Sequence, residues 1–131
     1  MLQPRHTNNH IHKVTYPIGE VFYFENYVIG NIQPDEVLDR KNAMQILGDL
    51  KAFYQDRTYV FISNRTFHHD VDIKVYELVD PKKLVGIAIV SNRSQEADRA
   101  VKEQSHYSGS FGLFNNMDSA IAWASTFTMV A

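Results

Sequence analysis

The chain has 131 residues, with 13 Lys and Arg against 15 Asp and Glu, six His and no Cys, and 44% of it is apolar. That length suits one compact domain and is too short for two ordinary ones. A formal charge of −2 gives no electrostatic reason to expect nucleic acid or an anionic membrane as partner, and the missing cysteines exclude disulfides, a thiolate nucleophile and thiolate-ligated metal.

Residues 1–9 have no apolar period and read as a flexible tail, with 10–131 as the domain. The polar, His- and Asn-containing start lacks the apolar core of a signal peptide, and no apolar run approaches the ~20 residues of a membrane span, so a cytoplasmic chain is expected. Residues 10–32 carry a β pattern: Ile11, Val14 and Tyr16, then Val21 to Phe24, then Tyr27, Val28, Ile29 and Ile32. Pro17 and Gly19 mark one turn and Glu25-Asn26 a tight hairpin, which predicts a three-strand antiparallel meander.

From Gln33 the period changes. Val37, Ala43, Met44, Ile46, Leu47, Leu50, Phe53 and Tyr54 recur at three- and four-residue steps, which predicts a long amphipathic helix with Pro34, Asp35 and Glu36 in its first turn. Gly48 inside it suggests close packing on a sheet. Residues 58–63, TYVFIS, read as a buried central strand, and Val71, Val75, Leu78 and Val79 fit a shorter helix capped by Asp70 or Asp72.

Residues 84–90, LVGIAIV, are apolar throughout, as in a strand covered on both faces, with Gly86 marking a close neighbour. Ser94 offers an N-cap for a helix to about Gln104 with Ala97, Ala100 and Val101 inward. A last strand at 111–114 and a helix starting at Asn115 or Asn116 end the pattern. The order βββαβαβαβα predicts an α/β fold: a mixed β-sheet with an N-terminal antiparallel meander and later strands alternating with helices.

The meander, TYVFIS followed by NRT, LVGIAIV followed by Ser94 and a helix, and the ending FGLFNNMDSAIAWA together give the chain a likeness to a known group. Over about residues 12–127 it resembles the SpoIIAA-like branch of the STAS and SEC14-like superfamily, small domains related to bacterial anti-sigma-factor antagonists. The resemblance implies a non-enzymatic binding or regulatory module that acts through protein–protein interaction in the bacterial cytoplasm. In the antagonists a serine after a central strand is phosphorylated. The matching stretch here is SNRTFHHD, without the Asp-Ser-Ser-Gly type of sequence, so the switch does not carry over, although Ser63 and Thr66 are candidate phosphoacceptors. The larger helical lobe of SEC14-type lipid carriers has no counterpart in so short a chain.

Ser63, Asn64, Arg65 and Thr66 sit at the C-terminal end of one central strand, and Asn92, Arg93 and Ser94 after the next, where open α/β sheets place ligands. Arg65 and Arg93 together would make an anion-friendly rim, giving an alternative reading as a small anionic-ligand binder or minor enzyme. The competing reading of these residues is as turns and caps. His10 and His12, two apart in a strand, would face one side and could share a metal ion with a third ligand. His68-His69 and His106 read as solvated or hydrogen-bonded side chains. Ser108-Gly109-Ser110 lacks the Gly-x-Ser-x-Gly context, and there is no dinucleotide, Walker A or His-Glu-x-x-His motif, so no catalytic residue, cofactor or metal is expected. Aromatic and apolar residues on both faces of Val21 to Phe24 suggest cover by a second copy or a protein partner, with a homodimer as the candidate assembly.

Overall fold

The structure, a computed structural model, describes residues 9–128. The expected tail, residues 1–9, therefore lies outside them except for Asn9.

Strands β1 (His12–Tyr16), β2 (Gly19–Tyr23) and β3 (Tyr27–Ile32) form the antiparallel meander, turning where proline, glycine and the Glu25-Asn26 pair break the apolar runs. β5 (Tyr59–Asn64), β7 (Leu84–Val90) and β8 (Ser110–Phe114) then add in parallel, giving one six-stranded mixed sheet of order β1-β2-β3-β5-β7-β8. Because the parallel strands step in one direction, right-handed crossovers put every connection on one face. That face carries α1 (Arg40–Tyr54), a 3₁₀ helix (Ile73–Leu78) and α2 (Gln95–Gln104), while α3 (Met117–Ser125) returns over the other.

Two cores follow. Val21, Tyr23, Val28, Ile46, Leu50 and Tyr54 pack between the sheet and α1, and Phe22, Ile29, Val60, Ile62, Ala120 and Ala124 pack under α3. Both faces of the meander are thus covered within one chain: Phe22 and Tyr23, on opposite sides, are each fully buried. This removes the sequence argument for a second copy on that face. Among the described residues no helix is long and apolar enough to cross a membrane.

Three local expectations need correction. The helix predicted from Gln33 starts at Arg40, because Asp35 takes a left-handed φ of 64° and Val37–Leu38 forms β4, paired in parallel with β6 (Asp70–Val71). Asp39 then caps α1 by accepting from the Asn42 N–H at 2.8 Å. Gly48 does not mediate close packing, since it is exposed and a Cβ there would meet nothing within 4 Å. Gly86 does: a Cβ would lie 3.0 Å from the Phe127 ring and 3.1 Å from Trp123, so α3 and the turn after it rest directly on β7. In α2 the inward residues are Glu96, Ala100 and Glu103, whereas Ala97 and Val101 are exposed.

Candidate binding site

The inward acids of α2 find their counter-ion at the end of β5. The chain leaves the strand at Asn64, and the Arg65 N–H donates to the Val90 carbonyl, which keeps the backbone in the sheet and turns the side chain beneath α2. Arg65 is 2% exposed. Its Nη1 donates to Glu103 Oε2 at 2.5 Å and its Nη2 to Glu103 Oε1 at 2.7 Å, a bidentate pair; Nη1 also reaches Glu96 Oε2 at 3.3 Å, and Nε donates to Ser63 Oγ at 3.0 Å. Tyr76, from the 3₁₀ helix, donates its hydroxyl to Glu103 Oε1 at 2.6 Å.

The electrostatics are mutual. Burial alone would lower the Arg65 pKa, but the hydrogen bonds and charge of Glu103 outweigh it and raise the pKa. Burial and then the Glu103 charge push the Tyr76 phenol well above its ordinary range. Beside this cluster His69 is completely buried, and neither ring nitrogen has a hydrogen-bond partner among the described residues. Burial, then the Arg65 and Arg99 charges, hold its pKa down to about 3, so the imidazole is neutral.

A second, more exposed set ties α2 to β6. Arg99 Nη2 donates to Asp70 Oδ1 at 2.6 Å, and Arg99 Nη1 lies 2.7 Å from His68 Nδ1, whose Nε2 is 3.2 Å from Asp70 Oδ1. The Arg99 hydrogen bond lowers the Asp70 pKa.

Between these networks and α1 lies a half-open crevice of about 60 Å³. Its walls are Ala43, Ile46 and Leu47 of α1, Leu38 of β4, Val71 of β6, and Val75, Tyr76 and Val79 in and after the 3₁₀ helix; Phe61, Leu84 and Ile87 form the floor, with Ser63 and Arg65 as the polar corner. A dry apolar cavity of about 150 Å³ accepts benzene. This one, at about 60 Å³, is less than half that size.

The loops after β5 and β7 do lie side by side, as the pairing of Asn64 with Val90 requires. They do not form the expected anion rim, because Arg65 is neutralised inside while Arg93 is exposed. Asn64 donates to Asn31 Oδ1 and accepts from the Thr66 N–H and hydroxyl, a turn-forming role. The Arg93 N–H donates to Ser91 Oγ, and Ser94 holds the N-cap position of α2 without a side-chain capping bond. Asn92 is exposed. Of the two candidate phosphoacceptors, Ser63 is buried and engaged by Arg65, whereas Thr66 is exposed. His10 and His12 do not share a side: the first packs on the Phe22 ring and the second on Tyr23 and Phe53, on opposite faces of the meander.

Sequence reasoning missed Glu96, Glu103 and Tyr76, and its reading of His69 as a solvated or hydrogen-bonded side chain is corrected: the ring is drawn wholly into the interior, with no hydrogen-bond partner among the described residues. A signal existed in the spacing: Glu96, Ala100 and Glu103 fall at i, i+4 and i+7, one helical stripe on which two acids flank a small residue.

Neither protein-family models nor curated proteins match the chain. Among solved structures it is similar to an uncharacterized protein of the DUF3478 family with a SpoIIAA-like fold from Shewanella loihica PV-4, at 13% identity and a TM-score of 0.56, over 79% of this chain and 90% of that one. The fold is therefore SpoIIAA-like.

Proposed function

We propose that this SpoIIAA-like domain is a non-enzymatic, STAS-like regulatory module that binds another protein in the bacterial cytoplasm, seating an apolar side chain of that partner in the crevice under α1. The size and lining of the crevice carry the reading. An apolar hollow of about 60 Å³ matches the anchor residue of a protein interface better than a free metabolite. Exposed apolar residues stand on two of the elements that wall it, Val37 on β4 and Met44 on α1, and Phe67, two residues after Arg65 of its polar corner, is 67% exposed.

The groups that could do chemistry support a non-catalytic role. Arg65, Glu96, Glu103 and Tyr76 satisfy one another, and His69 is sealed from solvent. The alternative of a small anionic ligand is left with Arg93 as its cation, since Arg65 already faces two carboxylates.

Capture from a native lysate on immobilised wild type and on Phe67→Asp tests the reading. The expected result is a protein retained by the wild type and lost with Phe67→Asp, while the variant keeps the wild-type circular dichroism. Identical capture by both contradicts it.

A further inference from the structure

Among the described residues the sheet ends in an unguarded edge. β8 is the outermost strand beside β7, and its sequence, SFGLF, has none of the charges or prolines that protect edge strands from pairing. The opposite edge, β1, carries Lys13 in an ion pair with Glu20 at 3.2 Å. In β8 the Phe114 carbonyl accepts from Ser91 on the β7 side, so the alternation of a strand turns the backbone N–H and C=O of Phe111 and Leu113 outward.

The helix above this edge is also incompletely covered. Glu96, Ala100 and Glu103 mark the buried stripe of α2, and Arg99, on one flank, reaches inward to Asp70 of β6. At 100° per residue Ala97 and Val101 occupy the other flank, on the β8 side, and Val101 is 69% exposed. Leu113, on the same face of β8 as Phe111, is 42% exposed.

We propose that this edge is a self-association site at which a second copy of the chain pairs its β8 antiparallel to the first, making one continuous twelve-stranded sheet. The strand is self-complementary about Gly112. With the two-fold axis there, Phe111 faces Leu113 of the second copy and exchanges both main-chain hydrogen bonds with it, and the reciprocal pair does the same. Gly112 meets its own counterpart with no side chain between them, its α3 face being filled by the Phe114 ring, 2.7 Å from where a Cβ would stand.

The helices fit the same arrangement. Each α2 packs against its own β8, so across the axis the two helices stand side by side. The helices run antiparallel across the axis, with the flanks that carry Ala97 and Val101 turned towards each other. Because it uses neither the crevice nor Phe67, this site stands independently of the proposed partner site.

Sedimentation velocity on the full chain, wild type, Leu113→Lys and Val101→Lys, tests it. Wild type is expected at twice the 15.1 kDa chain mass. Each lysine is expected to weaken association by about tenfold or more without changing the circular dichroism, because both side chains are exposed. The substitutions lie on different elements, so if one variant misfolds the other decides. A wild type that stays monomeric at every concentration overturns the proposal, and so does a dimer that survives the substitution in a folded variant.

Discussion

Arg65 and Glu103 form a buried bidentate ion pair, with N···O distances of 2.5 and 2.7 Å, that ties the loop after β5 to the last turn of α2. The helix rests on charge because it has little apolar surface to bury there: between its two inward acids stands only Ala100. Two buried carboxylates in this position require a cation, and Arg65 supplies it.

Arg65→Met is therefore expected to destabilise the fold by about 3–5 kcal/mol, since it leaves Glu96 and Glu103 buried without their counter-ion. Changing all three together, Arg65→Met with Glu96→Leu and Glu103→Leu, is expected to cost less than the single change, because it removes the stranded charges as well. Urea denaturation of both variants checks the order.

His69 gives stability a pH dependence of defined sign. Its folded pKa of about 3 lies below the unfolded value of 6.5, so over that interval the unfolded chain binds a proton that the native one does not, and stability falls as pH falls from 6.5 towards 3. The full slope is about 1.4 kcal/mol per pH unit. His69→Leu is expected to flatten the profile between pH 6.5 and 5, and urea midpoints at those two values measure it.

The two helix and strand glycines are expected to respond in opposite directions. Gly48→Ala, on an exposed helical face with open space around it, is expected to stabilise by about 0.5–1 kcal/mol. Gly86→Ala forces a methyl to 3.0 Å from Phe127 and 3.1 Å from Trp123 and is expected to destabilise by about 1–3 kcal/mol. Thermal melts distinguish them.

The contrast shows where sequence reading reaches. The strands were legible because TYVFIS and LVGIAIV are unbroken apolar runs bounded by polar residues, and α3 because Asn116 caps a regular Ala-rich stripe. The start of α1 was not, because Val37–Leu38 is held out of the helix by pairing with Asp70–Val71, more than thirty residues away. The candidate site failed for a related reason. Arg65 beside a turn looks exposed until the carboxylates that draw it inward, 31 and 38 residues later, are brought next to it.

Filling the crevice separates partner binding from stability. Val75→Ile adds one methylene to its wall and is expected to raise stability by up to about 1 kcal/mol while weakening capture of the protein partner. Chemical denaturation and the capture assay, run on the same preparation, read the two effects.

Native mass spectrometry of the untagged protein from its own cells tests the central claim most directly, that this domain binds protein through an apolar crevice while its buried arginine serves the fold. The account predicts the chain bound to another protein, with that complex disappearing on Phe67→Asp. A small anionic molecule that accompanies the folded species and leaves on denaturation would contradict it.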